Sequence, residues 1–434
     1  MNPFKVLSRP ALPRPDRPRT AAHRRIRRVL AVTAAAALTA TACAGIPGAP
    51  GGPQPQPTAT ASPTSPGAPS TPPTGPTAVP TSSSPATPPA SNPPSTPSTP
   101  PSTPPSTPGS PTTPPAMSGL HVVGTDIVNG TGQKVRLLGV NRSGTEYACI
   151  QGWGFFDGPS DDASIAAIRS WKVNTVRVPL NETCWLGING APAQYSGAAY
   201  RQTIIDYVNR INRAGMAVVL DLHWSAAGTG WATGQANAPN ADHTLDFWRS
   251  VANTFKNNSS VLFDLYNEPH DISWTCWRDG GECGVGYRVA GMQQMINAVR
   301  ETGARNIVLV AGNGWGGDLS GWLAHRPTDP TGNLAASWHM YDFGGCVTEA
   351  CWDAQVAPVS AAVPLVAGEF GDTDCNHDFS DRIMRWLDAH GDSYLGWAWN
   401  THSCNSFPAL ISDWSGTPTG YGAGLRNHLA RIAG

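Results

Sequence analysis

Eight short apolar runs, at 137–141, 174–180, 217–223, 260–266, 306–312, 335–341, 363–369 and 393–399, constrain the fold of this chain more than any other feature. Runs of this length read as buried strands. Nearly all of them end in a polar or ionisable group: Asn141, Arg177, His223, Asn267 with Glu268, Asn313, His339 with Tyr341, Glu369, and Trp399 with Asn400. Helical patterns separate most of the runs. Ile165, Ile168 and Trp171 share a stripe over 164–171, and Ile204, Tyr207, Val208 and Ile211 share one over 200–214. Segments 245–255, 289–299 and 425–432 behave alike, while those after runs five and six are less clearly helical. Residues 120–136, with turns at Gly124 and Asn129-Gly130, read as a small β-hairpin ahead of the first run.

Strands alternating with helices in this number fit two α/β architectures, a closed barrel or a doubly wound sheet. The polar groups separate them. Closing parallel strands into a barrel brings all their C-terminal ends to one face, so a charged group at each run's end is what a barrel site needs. A doubly wound sheet gathers such groups at one switch point and usually carries a glycine-rich phosphate loop, which does not follow 137–141 here. The expected fold is therefore α/β, a (β/α)8 TIM barrel with a short N-terminal β-hairpin.

Composition divides the chain further. All 16 Trp lie at Trp153 or beyond, while most of the 42 Pro lie before residue 118. Arg24, Arg25, Arg27 and Arg28 precede an uncharged apolar run over 29–42, which reads as an export signal too short to span a membrane. Ala40-Thr41-Ala42 fits a signal-peptidase site. The same residues ahead of Cys43 resemble a lipoprotein box, in which Cys43 would be lipidated, although Ala40 stands where Leu is usual. Residues 44–117 are uncharged and almost wholly Pro, Thr, Ser, Gly and Ala, a composition with nothing to bury. They read as a disordered spacer reaching at most roughly 230 Å. With no folded module on its N-terminal side, the spacer makes better sense as a tether, and 118–434 is left as the catalytic domain.

That domain carries 20 basic against 29 acidic side chains, which argues against a nucleic-acid partner. Beyond Cys43 an even eight cysteines remain, which fits disulfides outside the cell. Sequence does not fix their connectivity. Short loop closures favour 276–283 and 346–351; the other four cysteines allow three pairings, of which 149–184 with 375–404 is a guess. No C-x-x-C pair speaks for zinc.

Two carboxylates stand out. Glu268 closes the fourth run and Glu369 the seventh, in a domain with only seven Glu. A Glu at the exit of an apolar strand is costly unless it is paired, hydrogen-bonded or functional. One alone is as well explained by a structural ion pair. Two, with Arg177, His223, Asn267, His339 and Tyr341 at neighbouring strand ends, read as a catalytic pair. Two carboxyls flanking a substrate are the minimal equipment for glycoside hydrolysis: one protonated to release the leaving oxygen, one ionised to attack or to activate water. Arg177 would hold one of them anionic, and Asn267 would donate to a sugar 2-hydroxyl. Trp399, with Trp224 and Trp231, would offer flat faces to sugar rings. A metal triad of His223, His339 and Glu369 is the weaker reading, since all three serve such a site better as hydrogen-bonding groups.

Arg177-Val178-Pro179, Asn267-Glu268-Pro269, His339-Met340-Tyr341 and Gly368-Glu369-Phe370-Gly371, with Leu138-Gly139-Val140-Asn141, together resemble the cellulase family of glycoside hydrolases, family 5 of clan A. The likeness covers 118–434. It implies a retaining hydrolase with Glu268 as acid/base, Glu369 as nucleophile, and carboxyls about 5–5.5 Å apart. Arg177 and Tyr341 would sit against the nucleophile, His223 and His339 along the central subsite, Asn267 on the 2-hydroxyl, and Trp399 under the sugar at the cleavage point. No metal or organic cofactor is implied, and the partner is a polysaccharide met outside the cell by a monomer. The commonest activity behind these motifs is on soluble or amorphous β-1,4-glucan. Segment 401–404 lacks the Lys that many cellulases of the family carry there, so mannan, β-1,3-glucan, galactan and glycolipid stay open. A non-catalytic surface glycan-binding protein is the reading from a different class.

Overall fold

The computed structural model describes residues 116–405 and 407–433. The expected export signal with Cys43, and the tether up to residue 115, lie outside the described residues. Three short strands come first: β1 (His121–Val123), β2 (Asp126–Val128) and β3 (Lys134–Val135), paired antiparallel in that order. The expected hairpin is thus a three-stranded meander. Its second turn is held by Asn129, whose Oδ1 accepts from the Thr131 and Gln133 backbone N–H groups at 3.1 and 3.0 Å.

The barrel strands follow as β4 (Leu138–Asn141), β5 (Thr175–Asn181), β6 (Ala217–Trp224) and β7 (Val261–Asp264). After a small antiparallel pair, β8 (Gly280–Glu282) and β9 (Arg288–Ala290), come β10 (Val308–Ala311), β11 (Leu334–Tyr341), β12 (Leu365–Gly371) and β13 (Ser393–Gly396). The eight barrel strands pair parallel with their neighbours, and β13 pairs with β4 to close the ring. Helices Asp162–Ser170, Ala198–Arg213, Thr244–Phe255, Met292–Glu301, Asp378–His390 and Gly420–Ala433 connect the strands or follow the last. Their buried faces follow the sequence stripes, as with Tyr200, Ile204, Tyr207, Val208 and Ile211. The helix expected over 289–299 begins only at Met292, because Val289 is taken into β9 opposite Gly281. Between β10 and β11 the described residues form turns in place of a helix.

Alternation sorts each barrel strand. Val176, Val178 and Leu180 of β5 and Val218, Leu220 and Leu222 of β6 join the core that also takes in the helices' apolar faces. Residues of the other parity point inward. At the floor, Ala217, Val219, Leu262, Leu309, Ala335, Val366 and Leu395 pack with Leu120, Ile127 and Val135 of the meander segment. Above that floor the interior turns polar, with Arg177, Asp221, Asp264 and Ser337 all 0% exposed.

One irregularity sets the site. Trp338 pairs with Ala367, but His339 pairs with Glu369, so Gly368 is an extra residue in β12. A Cβ there would lie 2.6 Å from Ser337 Oγ and 3.0 Å from His339 Nε2, so glycine alone fits. The bulge carries Glu369 inward beside His339. Four disulfides, Cys149–Cys184, Cys276–Cys283, Cys346–Cys351 and Cys375–Cys404, match the expected pairing. Every one of these cysteines lies after the C-terminal end of a barrel strand.

Candidate active site

Arg177 is the hub of the C-terminal mouth. Its guanidinium donates four hydrogen bonds and makes three ion pairs. Nε donates to Asp264 Oδ2 at 3.0 Å, Nη1 to Asn141 Oδ1 at 2.9 Å and Glu369 Oε1 at 2.8 Å, and Nη2 to Asn267 Oδ1 at 2.9 Å. Asp221 Oδ2 lies 3.1 Å from Nη2. Burial opposes the guanidinium's charge, but Asp221, Asp264 and Glu369 outweigh it, and the pKa is pushed further up. Three carboxylates share one cation. Burial pushes Asp221 up to about 7 and Asp264 to about 6, against the pull of Arg177.

Glu369 is 3% exposed and takes a second donor, the Tyr341 hydroxyl, at 2.6 Å from Oε2. Burial and the adjacent carboxylates raise the phenol's pKa far above its ordinary value, so it stays a donor. Across the mouth, Glu268 is more open, with 14% of its side chain exposed. His339 stands between the two. Its Nδ1 lies 3.3 Å from Glu268 Oε1 and 3.7 Å from Glu369 Oε2. Chosen atoms of Glu268, His339 and Glu369 all lie within 4.8 Å of one another.

Burial pushes both His223 and His339 down to about 4, so both rings are neutral near pH 7. His223 Nδ1–H donates to Asp221 Oδ2 at 2.6 Å, which leaves Nε2 as an acceptor. Its ring lies flat against Trp397, with centroids 5.1 Å apart and planes 5° from parallel. Asn267 is fixed from both sides, since its amide also donates to Gln235 Oε1 at 3.0 Å.

The mouth thus brings together Glu268, Glu369, Arg177, His223, Asn267, His339 and Tyr341. It does not include Trp399. That side chain is 1% exposed and meets Trp171 edge-on at 4.8 Å, so it is core and no platform. Trp397, 7% exposed and stacked on His223, lies nearer the mouth. Both residues have the same parity, and the ladder ends at Gly396, so alternation could not choose between them. Sequence reasoning also missed Asp221, Asp264 and Gln235. Asp221 was signalled by its spacing two before His223, which puts both on one face of β6.

Aromatic side chains ring the mouth. Trp153, Trp231, Trp315 and Phe343 are 45%, 43%, 40% and 57% exposed, on the segments after β4, β6, β10 and β11. Trp315 stacks on His270 at 3.5 Å, and Phe343 on Tyr341 at 5.4 Å. The Glu268, His339 and Glu369 atoms are also spaced as metal ligands would be, but Arg177 and Tyr341 already occupy both oxygens of Glu369. A second group, Asp342, Asp372 and Asp374, has its carboxylates accepting from Thr373, Ser380 and Asn376.

A closed parallel barrel with two facing glutamates at its C-terminal mouth defines a glycoside-hydrolase class of site. The model of the cellulase family (glycosyl hydrolase family 5) matches residues 128–403, and the chain belongs to that family. It is 28% identical over 299 residues to the mannan endo-1,4-β-mannosidase of Streptomyces lividans, covering 66% of this chain and 67% of that protein. With endoglucanase CelA of the same organism it shares 26% over 301 residues, 66% of this chain and 58% of the other. With endoglucanase 1 of a Robillarda species it shares 28% over 249 residues, 48% and 60%. The chain thus spans about three fifths to two thirds of these relatives' lengths. A β-glucanase of Saccharophagus degradans, solved in complex with cellotetraose, superposes with a TM-score of 0.57 at 20% identity, covering 73% of this chain and 94% of that one. That likeness speaks for the fold.

Proposed function

We propose that this protein hydrolyses β-1,4-linked glucan internally, with retention, through a covalent glycosyl-enzyme. The carrying observation is the spacing within 4.8 Å around Glu268 and Glu369, which suits direct attack by a carboxylate and leaves no room for an inverting water. In the first step Glu369 attacks the anomeric carbon while Glu268 gives its proton to the glycosidic oxygen, and the C–O bond to the leaving sugar breaks. In the second, Glu268 takes a proton from water, the water oxygen bonds to the anomeric carbon, and Glu369 departs as carboxylate. Arg177 and Tyr341 each donate to one oxygen of the attacking carboxylate and fix its plane. Asn267 is placed for the sugar 2-hydroxyl, and Trp397 offers the ring its platform.

The exposed aromatics on several sides of the mouth support internal cutting of a long chain. Mannan is the second reading, favoured by the S. lividans mannosidase among the relatives. A panel of carboxymethyl cellulose, mixed-linkage glucan, mannan, xylan, β-1,3-glucan and β-galactan tests both, with Glu268→Gln and Glu369→Gln as blanks. Cleavage of the first two alone is the expected result; cleavage of mannan alone would move the substrate and keep the mechanism.

The four disulfides fit an extracellular protein. Export by the basic–apolar segment over 1–42 and lipid attachment at Cys43, with 44–117 as tether, complete the reading. Palmitate-analogue labelling that is present in the unaltered chain and lost in Cys43→Ala is the expected result; an unlabelled chain would overturn the anchor.

A further inference from the structure

Arg177 carries more negative partners than its bond to Glu369 needs. Asp221 on β6 and Asp264 on β7 lie behind the guanidinium, both 0% exposed, each with Oδ2 on Arg177. Their other oxygens, both named Oδ1, are buried and have no hydrogen-bond partner. Two carboxylates with idle oxygens are a costly way to position one arginine, since a buried polar atom without a partner is unfavourable. Asparagine or glutamine would fix the side chain with less charge, as Asn141 and Asn267 do on its Nη atoms. What an amide lacks is charge.

We infer that Asp221 and Asp264 are positioning residues of the reaction: from behind, they hold Arg177 against Glu369 and share its charge, which leaves Glu369 a stronger nucleophile than a one-to-one ion pair would. A carboxylate that owns a whole guanidinium charge is well stabilised as an anion and slow to give up an electron pair. Dividing that charge among three carboxylates keeps the geometry of the ion pair and weakens its hold. Asp221 performs a second task, as the acceptor that fixes the His223 tautomer. The charged and titratable groups that face this pair are Arg177, His223, Glu268 and Glu146 around Asp221, and Arg177, Asp221 and His339 around Asp264. Glu369 shares the same cation. Burial pushes both aspartates upward against the pull of Arg177, with Glu268 adding to the rise at Asp221 and Asp221 to the rise at Asp264.

The inference rests on Glu369 as nucleophile, and its test separates the two. In Asp264→Asn and in Asp221→Asn, Arg177 turns more of its charge on Glu369. Above about pH 7, where both aspartates are ionised, plateau kcat then falls about tenfold, and the loss shrinks as pH falls through about 6 and the aspartates of the unaltered chain take up protons. Glu182→Gln is the control. That glutamate is equally buried but is held by Thr244, Asn240 and the Ala226 N–H, away from Arg177, so its loss lowers Tm and leaves plateau kcat and its pH dependence in place. A plateau kcat above pH 7 unchanged in both aspartate variants, or a loss that does not vary with pH, with Glu369→Gln inactive, overturns this inference alone. An active Glu369→Gln overturns the reading beneath it.

Should the asparagine variants fail to fold, the unaltered chain answers. Carbon-13 labelled at aspartate Cγ, it is titrated before and after Glu369 is esterified by a 2-deoxy-2-fluoro cellobioside. Esterification removes one negative charge from Arg177, so two buried aspartate titrations should move to lower pH. Titrations that do not move overturn the proposal.

Discussion

Oxygens of Glu268 and Glu369 approach within 4.8 Å of each other, with His339 Nδ1 in reach of both. The two sit in unlike surroundings. Glu369 holds a cation and a phenol, while Glu268 faces a neutral imidazole and the open mouth.

Substitution at the two positions should therefore fail differently. Glu369→Gln loses the attacking oxygen and should fall by at least about 10⁴-fold on every substrate. Glu268→Gln should lose about 10²–10⁴-fold on polysaccharide. It should keep much of its first-step rate on aryl glycosides whose leaving group needs no proton, and recover turnover with azide. Equal losses on both substrate types would contradict the assignment of roles.

Trp397 and Trp399 should separate activity from stability. Trp397→Ala removes the face beside His223 and should lower kcat/KM about tenfold or more with a small change in Tm. Trp399→Ala empties a buried site against Trp171 and should cost about 3–5 kcal/mol in unfolding free energy. The reverse pattern in paired activity and melting assays would return Trp399 to the site.

Much of the barrel and its mouth is readable in the sequence. The eight runs place the barrel strands to within a few residues, because a buried parallel strand is a short apolar run whatever its neighbours do. Seven of the eight chosen site residues converge, because strand ends meet at one face in a closed barrel. Trp399 is the exception, since beyond Gly396 the ladder no longer directs side chains and packing on Trp171 draws the indole into the core. Asp264 lies in plain view within an apolar run, yet its partner Arg177 is 87 residues away, and no local pattern joins them. Trp315 depends on a loop: its backbone N–H donates to Pro269 O at 3.0 Å, which brings the indole onto His270.

Trp315 should act on the leaving side of the bond, next to the acid/base segment. Trp315→Ala should raise KM for cello-oligosaccharides about three- to tenfold and shift the cleavage pattern. An aryl cellobioside, which has no sugar on that side, should be turned over as before. Equal loss on both would place the indole elsewhere.

Stability should fall as pH rises from about 6.5 to about 8. Burial pushes Glu146 from 4.5 up to about 8 and Glu182 to about 7. Their folded pKa values are raised, so the stability they contribute is complete below about 4.5 and is lost as pH climbs through the folded values. The slope is about 1.4 kcal/mol per pH unit for each group within its window. His223 and His339, pushed down to about 4, oppose this only below 6.5, where unfolded imidazoles take up protons. Between pH 6.5 and 8.5 the acids act alone, so Tm should drop, and Glu146→Gln should flatten the drop. A Tm constant or rising over that range in the unaltered protein would contradict the burial of these groups.

The central claim, direct attack by Glu369, is tested most directly by the anomeric configuration of the first product. Proton NMR in the first minutes of cello-oligosaccharide hydrolysis should show the new reducing end as the β anomer, with the α anomer appearing only at the rate of mutarotation. An α anomer formed first would mean that water attacks from the opposite face, and the glycosyl-enzyme account would fall.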